Sequence, residues 1–178
     1  EAALMTCRAT RRERVLISRG VHPHYRGTVA TYFEGGLELD EIPLVADGPD
    51  AGTTDLAALE RMLADPGRPV AGVIAAQPDF LGLLEPMPRI GELAHAAGAL
   101  FVAVIEPVSL AVLAPPGAYG ADIAAGEGQP PDGGRLADGH TGSQTVAQPR
   151  AEQQRGCTSK CGAHRRQQHE VSGLELPV

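Results

Sequence analysis

The sequence predicts an α/β domain, in which a parallel sheet lies between two layers of helices, followed by a tail without regular structure. Short apolar runs at 14–18, 70–76 and 100–105 alternate with stretches of helical pattern. The run at 100–105 is continuously apolar, which is typical of a strand covered on both faces. The orderly alternation ends after Gln129. We therefore divide the chain into a partial three-layer α-β-α domain, residues 1–129, and a tail, residues 130–178.

The first part of the domain has the pattern helix, strand, helix, strand. Residues 1–10 contain good helix formers, and a short apolar strand follows at 14–18. Pro23 suits the first turn of a second helix, which the pair Gly35-Gly36 is expected to end. Apolar residues then alternate with acids over 37–44, which indicates a second strand.

The second part repeats this pattern. Thr54 or Asp55 is expected to cap a helix over 56–64, whose leucines fall on one face. A buried strand at 70–76 precedes a loop at 79–88 and a helix at 89–97, which ends at Gly98. The strand at 100–105 is expected at the centre of the sheet, and a last strand occupies 122–125. Strands and helices that alternate through short loops favour parallel pairing with right-handed crossovers.

The composition excludes several classes of protein. The formal net charge of −7 argues against a basic surface for nucleic acid. No apolar stretch approaches the roughly 20 residues of a membrane span, and no segment has the pattern of a signal peptide. The three cysteines form no even set for a disulfide framework, which favours a reducing cytoplasm.

The tail differs in kind from the domain. Residues 130–178 are rich in Gln, Gly, Arg, Ser and His, with scattered aliphatic residues. Such a segment buries too little apolar surface to offset about 1–2 kcal/mol of backbone ordering per residue, so we expect disorder. The tail also holds donor types for zinc, but their spacing is far tighter than that of a zinc finger, so we expect no metal site. These donors are Cys157, Cys161, His164 and His169.

Polar residues follow the buried strands at the points where a ligand site is expected. In parallel α/β sheets, ligands bind beyond the carboxyl ends of the strands. Neither a G-x-G-x-x-G nor a G-x-x-x-x-G-K-[ST] motif is present. The candidates for a pocket at this edge are His22, Gln77, Glu106, Glu127 and Gln129.

Each candidate also has a structural interpretation. His22, with His24, could cap a helix at the surface, and Glu106 could be a solvated acid at a strand end. Gln77 could support a loop with Phe80 packed beneath it. The glycines around Glu127 permit close backbone approach.

Six stretches, taken together and in order, resemble one known family. They are EAALM at 1–5, VLISRGVHPHYR at 15–26, TY at 31–32, GTTDL at 52–56, QPDFLGLLEP at 77–86 and AGALFVAVIEPVSLAVLAPPGAYGADIAAGEGQ at 97–129. They are similar to the amino-terminal subunit, subunit 1, of the P-protein of the glycine cleavage system, a decarboxylating glycine dehydrogenase. The resemblance covers roughly the first three quarters of the chain.

The resemblance implies the large domain of a fold-type-I enzyme that depends on pyridoxal phosphate (PLP). It implies glycine as substrate, with CO2 released and the aminomethyl group passed to the lipoylated H-protein. It places PLP and its lysine on the partner, subunit 2. In this chain Ala121-Asp122 leads to no lysine, and the sole lysine, Lys160, lies in the polar tail. We therefore assign no catalytic, cofactor-binding or metal residue here, and the five candidates would line a pocket shared within a cytoplasmic heteromer.

Two departures bear on this interpretation. Glu106-Pro107 stands where the family has Asp-Pro, and Glu106 would then occupy the place of the acid that pairs with the pyridine nitrogen. Residues 130–178 do not resemble the family's continuation. We expect a fragment that lacks the family's first strand and small domain, with one sheet edge and one sheet face uncovered. The alternatives are an inactive truncated fragment and an α/β domain that binds a small ligand.

Overall fold

A computed structural model of the chain describes residues 1–127. These residues form a five-stranded parallel sheet with helices on both faces, which confirms the predicted three-layer architecture. The predictions made for Gln129 and for residues 130–178, including disorder and the absence of a zinc site, lie outside the described residues. No helix within 1–127 is long and apolar enough to cross a membrane.

Within residues 1–127 the helices and strands alternate along the chain. The α-helices are α1 (Ala2–Thr10), α2 (Pro23–Phe33), α3 (Leu56–Leu63) and α4 (Met87–Ala96). The strands are β1 (Arg14–Ser18), β2 (Glu38–Ile42), β3 (Val70–Gln77), β4 (Leu100–Ile105) and β5 (Ile123–Gly126). Two short 3₁₀ helices, Pro107–Ala111 and Pro116–Tyr119, connect β4 to β5.

The strands lie in the order β2-β1-β3-β4-β5, and every neighbouring pair is parallel. The expectation that residues 100–105 form the central strand is wrong, because β3 holds that position and β4 lies one place further out. The first seven residues of β3 are buried, whereas both ends of β4 are partly exposed. Alanine and glycine make up half of β3, so its sequence is less conspicuously apolar than that of β4.

The helix ends follow the predicted chemistry closely. The Asp55 carboxylate caps α3 by accepting a hydrogen bond from the Ala58 amide at 2.9 Å. Gly98 follows α4 with a left-handed φ of 67°, a conformation that glycine adopts without strain. Helix α4 begins at Met87, two residues before the predicted start, because Pro88 fits the first turn.

The apolar side chains of the sheet divide between two cores by the two-residue period of the strands. Val15 and Ile17 of β1 belong to the core beneath α1, while Leu16 belongs to the core beneath α3 and α4. Helix α2 buries only Phe33, so most of its surface is not covered by any described residue.

Two arginines join the segments at the amino-terminal edge of the sheet. Arg12 Nη1 donates to the carbonyl oxygens of Val70 at 2.7 Å, Gly98 at 2.9 Å and Ala97 at 3.2 Å. The guanidinium thus satisfies carbonyls at the end of α4 and at the start of β3. Arg14, which is buried, pairs through Nε with Asp40 Oδ2 at 2.7 Å.

Helix α1 packs on the central strand at a position where only glycine fits. A Cβ on Gly72 would lie 2.7 Å from Thr6 Cγ2 and 2.8 Å from Thr6 Oγ1. Thr6 is fully buried and its hydroxyl donates to the Ala3 carbonyl at 2.7 Å, so its side chain has little freedom to move. The Gly72–Thr6 contact therefore sets the distance between helix and sheet.

We predict that Gly72→Ala lowers the free energy of unfolding by about 1–3 kcal/mol, as expected for overpacking of a tight contact. Urea denaturation of the full chain measures it. Gly27→Ala is the matched control, since a Cβ there meets nothing within 4 Å and alanine favours the helix by up to about 1 kcal/mol. Adding Thr6→Ala to Gly72→Ala is expected to restore part of the loss. A Gly72→Ala chain as stable as the native one would contradict this account of the packing.

Candidate functional site

A cavity of about 640 Å³ lies at the carboxyl edge of the sheet, against the start of α2. Its apolar walls come from β1, β3, β4 and β5, including Ile17, Ile74 and Val102. The structure brings three of the candidates, His22, Glu106 and Glu127, to the lining of this cavity. Their convergence follows from the parallel topology, because the carboxyl ends of all the strands meet at one edge.

His22 occupies the N-cap of α2. Its Nδ1 accepts a hydrogen bond from the His24 amide at 3.1 Å. The imidazole ring also contacts two aromatic neighbours, with centroids 4.7 Å from the Phe80 ring and 5.3 Å from the Tyr25 ring. Since Nδ1 is used by the cap, Nε2 is the ring nitrogen left to a ligand, and the structure supports the capping interpretation of His22 together with its place in the cavity.

Gln77 does not line the cavity. Its Oε1 accepts a hydrogen bond from the Glu85 amide at 2.9 Å, which closes the loop that follows β3. This agrees with the loop-supporting interpretation, but the expectation that Phe80 packs beneath the loop is wrong. Phe80 is 53% exposed, because it turns outward toward His22 at the cavity rim.

Glu106 begins the short helix Pro107–Ala111 at the end of β4. Its Oε2 accepts from the Ser109 amide at 3.0 Å, and its carbonyl oxygen accepts from the Ser109 hydroxyl at 2.7 Å. One carboxylate oxygen is therefore committed to a cap, and Oε1 has no hydrogen-bond partner among residues 1–127.

Glu127 accepts a hydrogen bond from the Tyr25 hydroxyl, which links β5 to α2 across the cavity. The pairing with Glu127, together with burial, raises the pKa of Tyr25 to about 12. No local pattern identifies Tyr25 as a site residue, because its partner lies 102 residues further along the chain.

Gly126 explains how β5 approaches β4 so closely at this point. A Cβ on Gly126 would lie 2.6 Å from the Ile105 carbonyl oxygen, so no larger residue fits without moving the backbone. Glu127 follows directly, and its position at the cavity therefore depends on this contact.

Two buried acids beneath the rim, Asp79 and Glu85, were not selected from the sequence. Asp79 Oδ1 accepts from the amides of Leu81 at 2.9 Å and Leu83 at 2.7 Å, while Oδ2 has no hydrogen-bond partner among the described residues. Glu85 accepts from the Thr54 amide at 2.9 Å and from the Thr54 hydroxyl at 2.8 Å. Burial raises the pKa of Glu85, and the Asp79 charge acts in the same direction.

The lining does not fit PLP, the cofactor that the resemblance implies for the whole enzyme. Covalent attachment of PLP needs a lysine amine, and arginine or lysine side chains commonly bind its phosphate. No lysine occurs in residues 1–127, and the described lining contains no arginine. The ionisable residues there are Glu1, His22, Tyr25, Asp79, Glu106 and Glu127. Within the same part of the chain, no group of three or more His, Cys, Asp or Glu is arranged to hold a metal ion.

Most of the chain is similar to members of one protein family. The profile described as "Glycine cleavage system P-protein" matches residues 1–132. A protein of Moorella thermoacetica named "Probable glycine dehydrogenase (decarboxylating) subunit 1" is 52% identical over 130 residues, or 72% of this chain. A protein of the same name from Geobacillus kaustophilus is 48% identical over 131 residues, or 73% of this chain. The chain spans 28% of the length of each of these relatives.

Solved structures give the same picture of the fold. The crystal structure of a glycine decarboxylase (P-protein) in inhibitor-bound form superimposes with a TM-score of 0.66 and 43% identity. The match covers 84% of this chain and 31% of that one. The structure of a NifS-like protein from Rickettsia africae superimposes with a TM-score of 0.53 at 19% identity. The match covers 64% of this chain and 30% of the NifS-like chain. At that identity the likeness concerns the fold alone.

We predict that Glu127→Gln lowers the pKa of Tyr25 from about 12 toward that of a free tyrosine, because the charged acceptor that holds the phenol proton is removed. Tyrosine Cζ chemical shifts, followed as a function of pH by NMR, report each ring separately. Tyr119, whose pKa is raised to about 12 by burial, is the internal control and is expected to keep its value. An unchanged Tyr25 titration in the variant would show that Glu127 is not the cause.

We also predict that Glu85→Gln reduces the loss of stability between pH 4 and pH 7. The folded state raises the pKa of Glu85, so its stabilising contribution is present at low pH, where the carboxyl is protonated. That contribution is lost as the pH rises through the folded-state pKa. Unfolding free energies at the two pH values, native against variant, measure the difference.

Thr54→Val is a second variant that tests the same Glu85 carboxyl group. It removes the hydroxyl that favours the ionised carboxylate while keeping the shape of the side chain. It is therefore expected to make the loss of stability above pH 4 steeper. Identical pH profiles for the native chain and for both variants would exclude Glu85 as the group responsible.

Proposed function

This chain belongs to the glycine cleavage system P-protein family, and on that premise we propose that it acts as part of the amino-terminal subunit of a glycine decarboxylase. The reaction proposed for the assembly releases the glycine carboxylate as CO2 and passes the aminomethyl group to the lipoyl group of the H-protein. The observation that carries this proposal is the 52% identity over 130 residues, together with the family match over residues 1–132, which includes every strand end around the cavity.

The chain is proposed to supply one wall of a shared site and not the covalent chemistry. A Schiff base with the cofactor needs a lysine amine in a shaped pocket, and residues 1–127 contain none. We propose that PLP sits on the partner, subunit 2, where it supplies the electron sink for decarboxylation. His22, Glu106 and Glu127 would then face the partner from the carboxyl edge of the sheet.

Exposed apolar side chains at the same edge support assembly with more protein. Phe80, Leu81 and Leu84 lie in the loop after β3, and Val108 and Val112 lie after β4. Each is more than half exposed, and Val112 reaches 85%. Neighbouring apolar residues left in solvent are typical of an interaction surface. We propose that these five residues, the apolar rim, contact subunit 2 in a cytoplasmic heteromer.

We propose that the isolated chain is inactive, as in the alternative of an inactive fragment. The chain spans 28% of its relatives, and helix α2 is largely uncovered, as expected if further protein normally packs there. Activity would then belong to the assembly, to which residues 1–127 contribute structural support.

We predict that the chain co-purifies with a family subunit 2 on co-expression, and that the complex releases CO2 in a glycine-dependent manner. Val112→Asp is expected to reduce recovery of the complex about tenfold or more, because it places a charge in an apolar contact. Ala57→Asp introduces the same charge at an exposed position of α3, away from the rim, and is expected to leave recovery unchanged.

The isolated chain, treated with PLP and borohydride, is expected to show no stoichiometric adduct by mass spectrometry. Such an adduct would overturn the placement of the cofactor on the partner. Failure to form a complex, with both proteins folded, would overturn the proposed role as a subunit.

A further inference from the structure

We propose that two buried acids, Asp79 and Glu85, act as a pH-sensitive switch at the base of the loop after β3. The loop is held firmly when the two carboxyl groups hold one proton between them, and less firmly when both are ionised. Asp79 begins the segment that carries Phe80, Leu81 and Leu84, and Glu85 ends it. The pair therefore controls how these three residues of the apolar rim are held. The inference stands on this chain alone and does not depend on the proposed function.

Both carboxyl groups pack against the backbone of Gly20, which follows β1. A Cβ on Gly20 would lie 2.9 Å from Glu85 Oε1 and 3.3 Å from Asp79 Oδ2, so the two oxygens are at most about 6 Å apart. Asp79 is 6% exposed and Glu85 is 5% exposed, so little solvent screens one charge from the other. At this separation, ionisation of one carboxyl group opposes ionisation of the other.

No basic side chain among residues 1–127 forms an ion pair with Asp79 or Glu85. The charged and titratable side chains of the neighbouring segments have other partners or are exposed. Arg19 and Arg26 pair with Glu41, His22 accepts from the His24 amide, Asp55 caps α3, Arg89 of α4 pairs with Glu60 and Glu92, and Asp47 and Asp50 are exposed. Two buried acids without a counter-ion are more stable when they hold one proton than when both are charged.

The hydrogen bonds around the pair indicate which acid holds the proton. Asp79 Oδ1 accepts two amide hydrogen bonds, which stabilise a charged carboxylate, while Oδ2 has no hydrogen-bond partner among the described residues. Glu85 accepts from the amide and the hydroxyl of Thr54, but burial outweighs these bonds and, with the Asp79 charge, raises the pKa of Glu85. Glu85 is therefore the group that is protonated at low pH and that loses its proton as the pH rises.

Backbone hydrogen bonds connect the pair to the rest of the loop. The amides of Leu81 and Leu83 donate to Asp79 Oδ1 at 2.9 Å and 2.7 Å, and the Phe80 amide donates to the Gly20 carbonyl at 2.7 Å. When Glu85 ionises, the two charges at the ends of the segment repel each other, and moving them apart weakens these bonds. The order of the loop is therefore greatest at low pH and falls as the pH rises through the folded-state pKa of Glu85.

The experiment is amide hydrogen exchange of the full 178-residue chain, measured by NMR at pH 4 and pH 7 and corrected for the intrinsic exchange rate. We expect the protection of the Phe80, Leu81 and Leu83 amides to fall about fivefold or more from pH 4 to pH 7, relative to the amides of β3. An equal fall in the loop and in β3 would assign the effect to global unfolding and would overturn the proposal. Because subunit 2 is absent, the result is independent of the proposed function.

A titration of the native chain tests the same switch without any substitution. The Glu85 Cδ chemical shift and the Phe80 amide shift are expected to change with one common midpoint, which lies above that of an exposed glutamate. Separate midpoints would contradict the proposed link between Glu85 and the loop.

Two variants identify the groups responsible. Glu85→Gln keeps an acceptor for Thr54 but cannot ionise, so the protection of the loop amides should no longer depend on pH. Asp79→Asn keeps Oδ1 as an acceptor and removes the second charge, so the midpoint of the Glu85 Cδ shift should move to lower pH. Glu92→Gln, an exposed acid of α4, is the matched control and should keep the native pH dependence. A native pH dependence in Glu85→Gln, or an unchanged midpoint in Asp79→Asn, would overturn the proposal.

Discussion

Close packing on both faces of β3 is the constraint on which the rest of the fold depends. The strand carries alanine or glycine at half of its positions, so the helices on either side approach its backbone. The Gly72–Thr6 contact sets that distance on the α1 side, and Ala75 lies in the opposite core beneath α3 and α4. The neighbouring strands β1 and β4 both pair with β3 in parallel, and their carboxyl ends meet beside the cavity.

Much of this architecture could be predicted because its signals are local. A continuous apolar run identifies a strand, Asp55 identifies a helix start, and Gly98 identifies a helix end, each from a few neighbouring residues. The order of the strands is not local. The central place of β3 depends on which strand the chain returns to after β2, and the apolar content of 100–105 therefore pointed to the wrong strand.

The candidate site also combines residues with a local sequence signal and residues without one. His22, Glu106 and Glu127 were selected because they follow the ends of predicted elements, and the structure places them at one cavity. Tyr25 and the acids Asp79 and Glu85 were missed, since their partners lie far away in sequence or their burial is determined by packing. An acid in a loop of leucine, glycine and proline is normally exposed, and only the folded chain shows Thr54 beneath Glu85.

The loop after β3 has a consequence for assembly. Gln77, Asp79 and Glu85 hold it through hydrogen bonds to its own amides and to Thr54, and the Phe80 amide donates to the Gly20 carbonyl at 2.7 Å. The part of the apolar rim that lies in this loop, Phe80, Leu81 and Leu84, is therefore displayed on backbone that is already ordered. A partner that docks there would contact a loop that has already lost its conformational entropy during folding. Association would therefore cost little further conformational entropy in this loop. Recognition at this edge would then resemble the contact of two preformed surfaces more than coupled folding and binding.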